Sequence, residues 1–323
     1  MKVFISGNIA PVGLKQLEEN NITITQWKEN RQITSEELIE ACKDQDALVS
    51  VGPNKLNAGF LNASKHLKVI ALHSVGFDQV DLDTAKKLNI PIGNTPGVLS
   101  AATADTAFLL MLAVSRKAFF SHKKIIHGEW KNYEPSPELG IEVKGKTLGI
   151  FGLGKIGLEM AKKCAAAYQM KVIYHNRSHN EEAEKEIDAE YVSFETLLAQ
   201  SDVLSIHTAL TPETKDKFTI DIFKQMKPNS IFINTARGGI HNEKDLITAL
   251  EEKIIWGAGL DVTNPEPMDK DNPLLAMENV AVLPHIGSAT EETRAAMAKI
   301  IVQNVVAGLK GEQLPFEVKC RMM

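Results

Sequence analysis

The stretch Thr147-Leu148-Gly149-Ile150-Phe151-Gly152-Leu153-Gly154-Lys155-Ile156-Gly157 leads into a helix-forming run, Leu158 to Tyr168. It then reaches Lys171-Val172-Ile173-Tyr174-His175-Asn176-Arg177-Ser178. An apolar strand, a glycine turn, a helix and a second apolar strand form a βαβ unit of the kind that holds a dinucleotide. Each glycine has its own task. Gly152 permits the tight turn, Gly154 lets the backbone approach a pyrophosphate, and Gly157 lets the helix pack on the strand. The N–H groups at the helix start then face the phosphates. The glycine pattern alone is weak; the strands on both sides give it weight, against an ordinary βα turn.

The polar tip of the second strand bears on which dinucleotide is held. NAD sites place an Asp or Glu there, about 20 residues after the glycines, to bind the ribose 2′-hydroxyl. This chain has Asn176, Arg177 and Ser178 instead. No carboxylate repels a 2′-phosphate, Arg177 can pair with one, and Ser178 and Asn176 offer donors. NADP(H) is therefore expected over NAD(H), with use of NAD(H) left open. If Arg177 is only a solvated loop charge, the tip does not discriminate.

Outward from this unit, strands and helices alternate. Before it, strands are expected at Lys2–Ser6, Ile22–Trp27, Ala47–Val51, Val69–His73 and Ile90–Gly93. Helices are expected at Val12–Glu19, Ala58–Ala63 and Thr84–Leu88, and through Cys42 from a capping box of Thr34 and Glu37. One long helical stretch, Ala101 to His127, precedes a proline-rich loop at Glu134–Leu139. After the unit come strands at Val203–His207, Ile231–Thr235, Gly257–Asp261 and Ala281–Leu283. Helices near Phe194–Ala199, Ile220–Met226 and Glu243–Glu251 separate them, and a last helix, Glu291–Leu309, ends at Gly311. The fold class is thus α/β: two Rossmann-like domains with parallel sheets and a cleft between them.

Bulk properties narrow the function. The 323 residues are 44% hydrophobic with a formal net charge of −5, so nothing in the balance argues for nucleic acid. Cys42, Cys164 and Cys320 are far apart and odd in number, which excludes a CxxC zinc pair and argues against a disulfide framework. No metal site is expected. The opening residues run straight into a strand, and the apolar stretch at Ala107–Val114 is too short to span a bilayer. A soluble cytoplasmic protein without membrane partners is expected.

Three segments each place a functional side chain just after a strand, where ligands bind in open α/β sheets. Asn234-Thr235-Ala236-Arg237-Gly238-Gly239 presents Arg237. Gly259-Leu260-Asp261-Val262, followed by Glu266-Pro267, presents Glu266. Leu283-Pro284-His285-Ile286-Gly287-Ser288-Ala289-Thr290 presents His285. These three signatures, in this order, resemble those of the D-isomer-specific 2-hydroxyacid dehydrogenases. Ser74-Val75-Gly76-Phe77-Asp78, Asn94-Thr95-Pro96-Gly97-Val98 and Thr103-Ala104-Asp105 match the same family. The resemblance covers nearly the whole chain and points to the glyoxylate/hydroxypyruvate reductase branch.

The resemblance implies a catalytic trio. His285 would exchange a proton with the carbonyl oxygen of a small 2-keto acid, Glu266 would orient the imidazole, and Arg237 would hold the carboxylate. Val75 and Gly76 would bind that carboxylate through backbone N–H groups, with Val51 and Gly52 shaping the pocket. It also implies cofactor contacts at Leu153, Gly154, Lys155 and Ile156, and at Thr208, Ala209, Leu210, Pro212 and Thr214. Thr235, Ala236, Asp261, Gly287 and Thr103 complete the set, with Arg237 and His285 touching cofactor as well as substrate. His73 and His207, at other strand ends, are expected to be structural or to support the site residues from behind.

The implied domains are discontinuous: 1–98 with 288–323 for the substrate, and 99–287 for the dinucleotide. The long stretch after Ala101, with its arm to Lys146, implies a homodimer contact. Trp130 at the arm's tip either reaches the partner's site or simply anchors the interface. Two rival readings share the fold: a dinucleotide-sensing protein resembling corepressors, and a dehydrogenase of other specificity. Formate- or phosphite-oxidising relatives are disfavoured. Formate-oxidising ones usually carry an N-terminal extension and Gln where Glu266 stands.

Overall fold

The computed structural model describes residues 1–319; Cys320 lies outside them. The chain forms two compact units, Met1–Leu99 with the chain from Ser288 onward, and Ser100–Gly287.

In the first unit, β1 (Lys2–Ile5), α1 (Pro11–Glu19), β2 (Thr23–Gln26), α2 (Ser35–Cys42) and β3 (Ala47–Ser50) follow in order. Next come α3 (Ala58–Ala63), β4 (Val69–Leu72), α4 (Leu82–Lys87) and β5 (Ile92–Gly93). The sheet is parallel, ordered β2-β1-β3-β4-β5. Strands β3 and β4 are buried along their length, as parallel strands covered on both faces must be. The expected capping box forms: Thr34 accepts the Glu37 N–H, and Glu37 accepts the Thr34 N–H. Helix Glu291–Lys310 packs its apolar face, Ile301, Val302 and Val305, against Val3, Val49 and Val69 of this sheet. It stops at Gly311, whose φ of +74° suits a residue without Cβ.

The second unit begins with α5 (Ser100–Ser115) and α6 (Ala118–Ile126), where the sequence implies one helix from Ala101 to His127. The break has a tertiary cause. The Ser115 carbonyl, which a continuing helix would pair with Phe119, accepts the Ile141 N–H at 2.8 Å. Lys117 turns left-handed at φ +51°. Then follow β6 (Thr147–Phe151), α7 (Lys155–Tyr168), β7 (Lys171–His175), α8 (Glu181–Ile187), β8 (Glu190–Tyr191), α9 (Phe194–Gln200) and β9 (Val203–Ile206). After them come α10 (Ile220–Phe223), β10 (Ile231–Asn234), α11 (Glu243–Glu251), β11 (Gly257–Leu260) and β12 (Val280–Val282). The sheet runs β12-β11-β10-β9-β6-β7-β8, all parallel.

Two elements are not apparent from periodicity. Helix α8 is mostly charged, and its signal is the cap: Asn180 accepts the Ala183 N–H, with Glu181, Glu182 and Glu184 in the first turn. Strand β8 is a two-residue edge pairing with β7. Among the described residues no helix is long and apolar enough to cross a membrane, and no group of His, Cys, Asp and Glu could hold a metal ion.

Candidate active site

Adjacent parallel strands place the trio at one end of the second unit's sheet. Arg237 follows β10, Glu266 follows β11 and His285 follows β12, each in the loop at the strand's carboxyl end. Two loops meet through a glycine. A Cβ on Gly238 would lie 2.0 Å from the Thr263 carbonyl oxygen, so the residue after Arg237 rests directly on the loop that leads to Glu266. That loop is tied by the Thr263 hydroxyl, which donates to the Pro265 carbonyl at 2.8 Å, and by Asn264 N–H donating to Glu243.

The imidazole and the acid are paired: His285 Nδ1 lies 2.5 Å from Glu266 Oε1. Buried Asp261 holds the imidazole's backbone. Its carboxylate accepts the N–H groups of Ile286 and Gly287, both at 2.8 Å, and its carbonyl accepts that of His285 at 2.9 Å. Burial pushes the Asp261 carboxyl above the usual range, opposed by those two N–H bonds. Its carboxylate thus shapes the His285 loop whatever else it contacts. Thr103 lies against Gly287, 3.2 Å from where a Cβ would stand.

Asn234, at the end of β10, organises the Arg237 turn. Its side chain accepts the Ala236 N–H and donates to the Arg237 carbonyl and to His241 Nδ1. Asn234 opens the Arg237 segment without a role that the sequence assigns to it, and His241 does not stand out; an amide ending a buried apolar strand was the available signal.

The glycine turn has the form a dinucleotide requires. Gly152 has φ +102°, and its Cβ would be 2.8 Å from the His207 and Thr208 backbone, where the connections of β6 and β9 diverge. A Cβ on Gly157 would be 2.6 Å from the Gly152 carbonyl, so helix and strand pack as closely as glycine allows. Gly154 faces open space, and no side chain caps α7, which leaves its amino end for an anion. The Thr235 hydroxyl is buried with no partner among the described residues. Lys155 and Ile156 open α7; Thr214 fixes the Thr208–Leu210 loop by donating to the Ala209 carbonyl, with Pro212 between. These features fit a bound dinucleotide.

At the polar tip, Arg177 and Ser178 are exposed, whereas Asn176 is committed to the glycine turn. Its Oδ1 accepts the Leu153 N–H at 2.6 Å and its Nδ2 donates to the Leu153 carbonyl at 3.4 Å. Asn180 donates to the same carbonyl.

In the first unit, the Ser74 hydroxyl donates to the Gly76 carbonyl and Asn94 to that of Val75. The Val51 N–H donates to Ser6, and Gly52 is left-handed at φ +85°. His73, buried beside Arg294, is lowered to about 4, and His207, bonded to Ser205, to about 3, both by burial first.

Residues 108–287 match the family described as D-isomer specific 2-hydroxyacid dehydrogenase, NAD binding domain. Glyoxylate reductase of Thermococcus litoralis is 44% identical over 318 residues, covering 97% of this chain and 95% of that protein. The solved glyoxylate reductase from Paecilomyes thermophila superposes with a TM-score of 0.86 at 34% identity, over 98% of each chain. The NADPH-dependent glyoxylate/hydroxypyruvate reductase from Sinorhizobium meliloti, solved with NADP and malonate, gives 0.82 at 29% identity, over 98% of this chain and 96% of that one. The three strand-end loops and this likeness along nearly the whole chain lead to one conclusion: the protein belongs to the D-isomer-specific 2-hydroxyacid dehydrogenase family.

Proposed function

We propose that the protein reduces a small 2-keto acid, glyoxylate or hydroxypyruvate, to the 2-hydroxy acid, with NADPH preferred over NADH. The observation that carries this reading is the His285–Glu266 pair at 2.5 Å beside the Arg237 loop. Because Nδ1 faces the carboxylate, Nε2 is the atom that delivers a proton to the carbonyl oxygen and takes it back in oxidation. Glu266 faces Nδ1 and so fixes the ring's tautomer and orientation. Arg237 holds the substrate carboxylate with its planar donors and polarises the carbonyl. Val75, Gly76, Val51 and Gly52 are further proposed substrate contacts.

The dinucleotide, held by the 152–157 turn and the 208–214 loop, supplies the hydride when bound. Arg177 and Ser178 receive the 2′-phosphate, while Asn176 braces the turn beside them. Exposed apolar residues on the arm, among them Leu109, Ile125, Ile126, Trp130 and Leu139, support a homodimer. Unpaired, buried Cys42 and Cys164 fit the reducing cytoplasm.

Loss of NADPH absorbance with a panel of keto acids tests the activity. Turnover of glyoxylate or hydroxypyruvate is expected; tight dinucleotide binding without turnover of any keto acid would overturn it. Light scattering tests the dimer. Unchanged substrate preference in Trp130→Ala would remove any role for that ring in a partner's site.

A further inference from the structure

The wholly buried Asn234 side chain makes three hydrogen bonds whose partners fix every proton. Its Oδ1 accepts the Ala236 N–H at 3.0 Å, and its Nδ2 donates to the Arg237 carbonyl at 2.9 Å. A backbone N–H only donates and a backbone carbonyl only accepts, so the amide cannot be reversed. The remaining Nδ2 hydrogen points at His241 Nδ1, 3.0 Å away, which must accept it. The ring's proton therefore sits on Nε2, a buried nitrogen with no partner among the described residues. Burial alone lowers His241 to about 4, with no charged group contributing, so Nδ1 remains an acceptor. The ring lies edge-on to Phe232, with centroids 5.8 Å apart. An imidazole with a stranded donor is a poor core residue, and an apolar side chain would fill the space without that cost. What the ring adds is one acceptor, aimed at Asn234.

We propose that His241 is a positioning residue for Arg237: its Nδ1 locks the Asn234 amide, which sets the turn presenting the guanidinium to the substrate carboxylate. This rests on the proposed keto-acid reductase reading and deepens it. Without that acceptor the amide swings, its bond to the Arg237 carbonyl loosens, and the guanidinium loses its bearing. The glycine turn is on other strands, so dinucleotide binding, which Thr235 and Ala236 also border, should weaken far less than keto-acid binding.

The test uses three variants of the full-length protein. His241→Asn places an amide oxygen where Nδ1 was; His241→Leu and His241→Gln do not. In the latter two, KM for the keto acid should rise about tenfold, roughly the effect of one hydrogen bond. The Kd for NADPH, read by fluorescence, should change far less than KM for the keto acid, and His241→Asn should recover most of the loss. Nitrogen NMR of the unsubstituted protein should show the Nε2–H tautomer. An unchanged KM in His241→Leu, no recovery in His241→Asn, a parallel loss of NADPH affinity, or an Nδ1–H tautomer would each overturn the proposal. So would failure of both His241→Leu and His241→Gln to fold, which would make the ring a stability element only. Absence of turnover by the unsubstituted protein defeats the activity and this role together. Normal turnover with unaffected variants defeats the role alone.

Discussion

Nδ1 of His285 and Oε1 of Glu266 stand 2.5 Å apart, joined across two loops that leave neighbouring strands. The contact commits one ring nitrogen to the acid and leaves Nε2 for the proposed proton transfer. It also depends on an unusual backbone, since His285 sits at φ +53° and is held there by Asp261.

Replacing the imidazole should remove proton transfer and little else. His285→Ala is expected to lower kcat by about 10²–10⁴-fold, with NADPH affinity retained. Glu266→Gln should cost less, because the amide oxygen can still accept from Nδ1 and keep the ring oriented. Steady-state kinetics with a parallel binding titration separates the two effects; full activity in His285→Ala would refute the assignment.

The contact between the Arg237 and Glu266 loops predicts intolerance at Gly238. An added Cβ meets the backbone of Thr263 at 2.0 Å and 2.2 Å, and backbone cannot step aside as a side-chain tip can. Gly238→Ala should lower stability by about 1–3 kcal/mol and reduce kcat/KM more than the melting temperature implies. Calorimetry beside kinetics checks this.

Cofactor choice should turn on the polar tip. Asn176→Asp keeps an acceptor for the Leu153 N–H but places a negative charge beside the expected 2′-phosphate. KM for NADPH should rise roughly ten- to hundredfold, the weight of one hydrogen bond to a charged group, while KM for NADH holds or falls. Arg177→Ala should weaken NADPH alone. Equal effects on both cofactors would refute the assignment of Arg177.

Stability should fall steeply in mild acid. Buried His73 and His241 both lie at about 4, below the ordinary 6.5, so between those values the unfolded chain binds protons that the folded chain refuses. Their contribution is complete above about pH 6.5 and is lost as pH falls toward 4, at up to about 1.4 kcal/mol per pH unit for each ring. Thermal melts from pH 7 to pH 5 should show this slope, and His241→Leu should make it shallower.

Much of this molecule was legible in one dimension. The capping box at Thr34, the helices at 58–63 and 243–251 and most strands fall where periodicity and caps place them, because those signals are carried by neighbours in sequence. The break at Lys117 was hidden because its cause, Ile141, arrives from a distant loop. Helix α8 was hidden because charged residues show no apolar stripe.

From the sequence alone came most of the order of elements, the three glycines and their spacing, and the placing of Arg237, Glu266 and His285 after strands. Tertiary structure decided which atoms those residues spend on one another. It bound Asn176 to Leu153, Asp261 to the His285 loop, and Asn234 to both Arg237 and His241. The reason is physical: strand and helix periods are local, whereas a buried polar group takes whatever partner folding brings within 3 Å or so.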